Sequence, residues 1–161
     1  MKKIALAILA LTILVSGSAQ AQDDYMELLR QDLRTQKTAV FTEAMALDEA
    51  QGEVFWPIYR EYDLELSTLG DQRIALIKKY AENYMQMDDA MADEIIKETI
   101  KLNKSRASAR EKYYKQVRKA LGGVMAARFW QVDGLIQDVI DLQIAAELPI
   151  VEHTKPEPVK D

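Results

Sequence analysis

LDEAQGEVFWPIY, residues 47–59, begins as a helix should and then sets Gly52, two adjacent large aromatics and Pro57 within its first turns. Asp48 is placed to cap a helix, its carboxylate accepting from the free amides of the first turn. Gln51, three residues on, can reach back to the Asp48 amide and close a capping box. Pro57 lies well past that cap, where its missing amide and its ring cost roughly 3 kcal/mol in a straight helix. Two readings follow. Either Pro57 kinks one helix, with Phe55 inward and Trp56 beside the bend, or a short capped helix ends and a new one starts with Pro57 at its first position.

Downstream of the cap, Phe55, Tyr59, Tyr62, Leu66, Leu69, Ile77, Tyr80 and Tyr84 recur mostly at intervals of three and four or their sums. That is a seam of about 3.5-residue period, the pattern of a coiled coil or long helical hairpin. Glycine and proline are scarce, no run alternates with period two, and residues 24–148 are rich in strong helix formers, so the class is all-α. MQMDDAMADEI ends the second helix and starts a third, capped by Asp88 or Asp89, with Met91, Ile95, Leu102, Ala109, Tyr113 and Val117 along its stripe. The glycines of LGG, 121–123, mark the next break. A fourth helix then carries Met125, Phe129, Val132, Ile136, Val139 and Gln143, spaced 4, 3, 4, 3, 4. A first helix over about 24–45 offers Leu28, Leu29, Leu33, Val40, Phe41 and Met45, with Thr35 and Thr38 weakening its middle. LDEAQGEVFWPIY also has an echo in LGGVMAARFWQVD at 121. Both start with Leu, place Phe-Trp at the same offset and set a β-branched residue two positions after the Trp. Two equivalent helix starts in similar surroundings are expected.

The chain opens MKKIALAILALTILVSGSAQAQ: two lysines, an apolar run, then Ala19-Gln20-Ala21. This predicts a secretory signal cleaved after Ala21 and export to the periplasm; the competing reading is an uncleaved anchor. Removing residues 1–21 leaves 19 bases against 26 acids, a net charge of −7, which gives no global pull toward nucleic acid. With no cysteine, packing between helices has to supply the stability. Residues 22–148 form one expected helical domain, and VEHTKPEPVKD after Pro149 is expected to be a disordered tail.

Catalytic equipment is sparse. The single histidine, His153, stands in that tail and there is no cysteine, leaving no side-chain set for a His-based triad or a His/Cys zinc site. Asp23-Asp24 and Asp88-Asp89 read as helix N-terminal acids rather than cation ligands. No glycine-rich phosphate loop is present, since Gly122-Gly123 is not followed by Lys and Ser/Thr. The sequence therefore predicts no enzyme, no cofactor and no metal site. More distinctive is Lys97–Lys119, with nine bases (Lys97, Lys101, Lys104, Arg106, Arg110, Lys112, Lys115, Arg118, Lys119) against Glu98 and Glu111. One reading is a solvated face paired with Glu61, Asp63 and Glu65. The other is a basic patch that draws in acidic unfolded segments or anionic lipid. Tyr59, Tyr62, Tyr80, Tyr84 and Tyr113 follow the seam, whereas Trp56 and Trp130 flank it and either cover the core edge or line an interaction surface.

These residues resemble the Spy/CpxP-like periplasmic proteins, whose signature is an LTxxQ motif used twice at helix starts. The first copy stands here as Leu47-Asp48-Glu49-Ala50-Gln51, with Asp for Thr; the second, beginning at Leu121, keeps only the Leu. FWPIYREY and AARFWQVDGLI look similar to a branch of exported proteins grouped with this family, and the likeness covers roughly residues 40–148. The resemblance implies about four helices in long antiparallel hairpins, curved, forming a cradle-like homodimer. Family members include ATP-independent chaperones, an inhibitor of an envelope-stress sensor, and zinc- or nickel-responsive proteins. The leading expectation is thus a stress-protective protein that reversibly binds unfolded envelope proteins, with Trp56, Lys101, Lys104, Arg106, Arg110, Lys115, Arg118 and Trp130 as candidate surface. The alternatives are a regulator docking on a membrane sensor domain and a divalent-metal resistance protein.

Overall fold

The computed structural model describes residues 33–151. The segment expected to be a signal, Asp23-Asp24, the expected helix residues Leu28 and Leu29, His153 and most of the expected tail lie outside the described residues. Within them the chain is all-α, with one short 3-10 turn and no strand. It divides into two compact units, Met1–Lys37 and Thr38–Asp161. The described part of the first, residues 33–37, is helical. The second unit carries the packing described below.

Helix α1, residues 33–45, ends where Ala46 adopts a left-handed conformation (φ 46°), a position usually given to glycine or asparagine. Arg128 donates to the Met45 carbonyl at 3.2 Å and so places a cation on the negative end of the helix. After a three-residue link, α2 runs Glu49–Asn83. Its cap is reciprocal: the Gln51 amide donates to the Asp48 carboxylate at 2.8 Å, and the Asp48 amide donates to Gln51 Oε1 at 3.2 Å. Pro57 lies inside α2, which continues through it, so no new helix starts there. The proline is exposed, which leaves water free to satisfy the carbonyl one turn back that has lost its donor.

A 3-10 turn, Tyr84–Gln86, closes α2, and Asp88 caps α3 by accepting from the Met91 amide at 2.8 Å. The helical residues Asp89–Glu147 of α3 are divided at Gly122, whose φ 86° and ψ 171° are non-helical, a region open only to glycine without strain. Arg106 and Asp141, 35 residues apart in sequence, are joined at 3.3 Å, whereas a straight helix would hold them about 52 Å apart. The glycine therefore folds α3 into two antiparallel arms, 89–121 and 123–147. Ion pairs Lys112–Glu65 and Lys79–Glu94 show that the first arm also runs antiparallel to α2.

The core sits where α1, α2 and both arms of α3 meet. Phe41, Met45, Phe55, Tyr62, Val117, Ala126 and Phe129 are buried there, with Tyr59, Ala109, Tyr113 and Val132 around them. Phe55 and Phe129, the two members of the sequence echo, face each other edge-on with ring centroids 6.3 Å apart. Their neighbours Trp56 and Trp130 both lie at the rim, partly in water. One expected seam needs correction. Met125, Phe129, Val132 and Ile136 turn inward, but Val139 and Gln143 are exposed, and Ile140 and Ile144 take the inward places. An unsupercoiled helix drifts about 20° per heptad relative to a 3.5-residue repeat, which carries position 139 off the contact face.

Candidate functional site

Nine bases on the first arm of α3 separate into two groups. Arg106 and Arg110 point toward the second arm and are half-buried. Arg106 donates to Gln137 at 2.7 Å and shares Asp141 with Arg73 of α2. Arg110 Nε lies 2.9 Å from the fully buried Asp133, close as an ion pair though misaligned as a hydrogen bond. Its guanidinium covers the Trp130 ring at 3.8 Å and donates to the Trp130 carbonyl. Trp130 in turn meets Tyr114 edge-on. A Cβ at position 134 would stand 2.7 Å from Arg110 Nη2, so Gly134 provides the space in which this guanidinium lies.

Asp133 also accepts from the Tyr62 hydroxyl. Burial first, and then the Asp133 charge, push the Tyr62 hydroxyl well above the usual tyrosine range. Tyr62, Arg110 and Asp133 thus tie α2 to both arms through a buried ion pair and a hydroxyl bond, a device that fixes relative position.

The remaining bases face water. Lys97 and Lys115 pair along their own helix with Asp93 and Glu111, both at 2.5 Å. Lys112 reaches Glu65 of α2 at 2.7 Å; that hydrogen bond lowers the Glu65 pKa and raises that of Lys112. Of the acids expected to cover this face, Glu65 does so, whereas Asp63 is buried. Among the described residues, Lys101, Lys104, Arg118 and Lys119 have no ion-pair partner. Lys97, Lys101, Lys104 and Lys112 line a shallow groove of about 590 Å³ with Ser105, Ser108 and the exposed Ile100.

The eight candidate surface residues therefore do not form one patch. Lys101 and Lys104 stand together in the lysine groove, and Lys115 and Arg118 lie further along the arm. Arg106, Arg110 and Trp130 belong to the seam between the arms. Trp56 packs edge-on against Phe55 and Tyr59 and borders a separate groove with Leu47, Asp48, Pro57 and Arg60. Leu47 and Leu121 pack against the core.

Two further features have no partner in periodicity alone. Leu135, Val139 and Leu142, spaced four and three, are exposed on the outer face of the second arm. Toward the α2–α3 turn, a cleft of about 380 Å³ opens between α2 and both arms, walled by Ile77, Tyr80, Ile95, Leu102 and Ile144 among others. No group of three or more His, Cys, Asp or Glu side chains suited to a metal ion occurs among the described residues, nor does a helix long and apolar enough to cross a membrane. No protein-family model, curated protein or solved structure matches the chain.

Proposed function

We propose that this protein is an exported, ATP-independent chaperone-like member of the Spy/CpxP-like group. It holds unfolded envelope proteins reversibly in the periplasm. The observation that carries this reading is the groove on α3 where unpaired Lys101 and Lys104 flank exposed Ile100. Unpaired cations attract acidic, unstructured chain over a distance of about 8–10 Å at physiological salt, and a neighbouring apolar side chain retains it after contact. Such a surface is weak per site and adaptable, which suits capture and release without an energy source.

A cradle built from two copies needs an apolar face on each, and Leu135, Val139 and Leu142 supply a candidate stripe. The experiment is suppression of aggregation of a chemically unfolded client at equimolar ratio, combined with light scattering. Wild-type protein is expected to suppress, with slower capture in raised salt. Lys101→Glu with Lys104→Glu is expected to lose most of that activity while remaining folded, and Leu135→Asp with Leu142→Asp to become monomeric. Absence of suppression at any ratio defeats the chaperone reading. Recovery of one membrane sensor domain without general suppression would replace it with the regulatory one.

A further inference from the structure

The cleft near the α2–α3 turn has a chemistry of its own, separate from the lysine groove. Its walls are apolar along most of their length. At the end nearer the core, Arg73 and Arg106 converge on a single acid, Asp141, at 2.5 and 3.3 Å. Among the described residues, Asp141 is the only acid lining the cleft, so two guanidiniums face one carboxylate and one positive charge is left over. Each guanidinium carries five donors, and only some are used by Asp141 and Gln137. Both arginine side chains are largely withdrawn from water, at 22% and 18% exposure. The surplus charge is therefore less screened than on the open surface. At the opposite end the segment after α3 forms a wall, fastened where the Tyr80 hydroxyl donates to the Pro149 carbonyl at 2.5 Å.

We infer that this cleft binds an acyl-chain carboxylate, a fatty acid, with the chain along the apolar walls and the head group at Arg73 and Arg106. The volume is at the small end of the range for small-molecule sites, about 300–1,000 Å³. The lining residues of the first arm run from Ala92 to Arg106, roughly 21 Å of helix, a long and narrow wall matched to a linear chain. Charge complementarity selects the sign of the head group. A cationic amphiphile of equal length would meet the unpaired guanidinium charge, and a neutral one would leave its donors unanswered.

The test is titration calorimetry on the full chain with dodecanoate and with dodecyltrimethylammonium, both below micelle-forming concentration. Dodecanoate is expected to bind at one site at least about tenfold more tightly, the difference one charge-assisted contact confers. Asp141→Asn removes the competing carboxylate and is expected to tighten dodecanoate about fivefold or more. Ala92→Trp fills the cleft and is expected to abolish binding, with an unchanged helical circular dichroism spectrum and unchanged suppression of client aggregation. That last readout separates failure here from failure of the chaperone reading. Equal affinity for the two amphiphiles, weaker binding by the Asp141→Asn protein, or undiminished binding by folded Ala92→Trp protein would each overturn the assignment.

Discussion

Around Phe41, Phe55, Tyr62 and Phe129 the side chains of α1, α2 and both arms of α3 are sealed from water, ring against ring at 5.4–6.3 Å. Around Ile77, Ile96 and Ile144, toward the α2–α3 turn, α2 and both arms leave a cleft, and Ile96 is 57% exposed. Polar contacts divide the same way. The sealed end holds a buried cluster, Tyr62, Arg110 and Asp133, while the open end is stitched by Lys79 to Glu94 and Glu98 through partly exposed side chains. Exposed pairs of that kind contribute little, because water screens them and ordering the side chains offsets the gain. The contrast teaches that one end carries most of the stability and leaves the other free to present apolar and cationic surface.

The strongest way to break this contrast is to remove a large side chain from each end. Phe129→Ala is expected to cost about 3–5 kcal/mol in urea unfolding, because a fully buried ring leaves a cavity. Ile144→Ala is expected to cost less than about 1.5 kcal/mol, since water already reaches that wall. Comparable losses would mean the two ends share stability evenly.

Next comes the pair of carboxylates. Asp133→Asn strands the Arg110 charge in a largely buried site and is expected to cost about 2–3 kcal/mol, a little below the range for fully buried pairs. Asp141→Asn at the open end is expected to cost less than Asp133→Asn, because Asp141 is itself 44% exposed and water reaches the guanidinium groups it leaves. Thermal unfolding of the two variants side by side decides it.

The sealed end also predicts an alkaline limit. Tyr62 is held neutral by burial and by Asp133, so its folded-state pKa exceeds the unfolded value of 10.0. A raised value means the stabilisation is complete below pH 10 and declines above it, by up to about 1.4 kcal/mol per pH unit. Tyr113, raised chiefly by burial, acts in the same direction. Unfolding measured at pH 9 and 11 is expected to show a shallower decline for Tyr62→Phe than for wild type. The smallest effect belongs to the α1–α2 link. Ala46→Gly is expected to raise stability by about 0.5 kcal/mol, relief of left-handed strain slightly exceeding the entropy cost of glycine.

Which of these features the sequence discloses depends on how local they are. The Asp48–Gln51 box is legible because its partners are three residues apart, and the Phe55–Tyr59–Tyr62 stripe because burial follows helical period. The break at Gly122 is legible from paired glycines, although its φ is not. Val139 reads as inward only when a 3.5-residue count is carried too far along an uncoiled helix. Asp133 reads as a surface acid until the arms fold back and bring Arg110 and Tyr62 onto it. Arg106 and Arg110 look like members of a basic face for the same reason, since their partners lie some 23 to 35 residues away. The cleft leaves no local mark, because no single element contains its walls.

Native-state hydrogen exchange, recorded with and without a permanently unfolded client, tests most directly the division into a stable end and a working one. Amides of residues 55–62, 113–117 and 126–133 are expected to exchange only through global unfolding and to be unchanged by client. Amides of residues 73–83 and 141–147 are expected to exchange by local opening, with client-induced protection appearing along residues 97–108. Uniform protection throughout α2 and α3, or client-induced protection confined to the sealed end, would contradict the account.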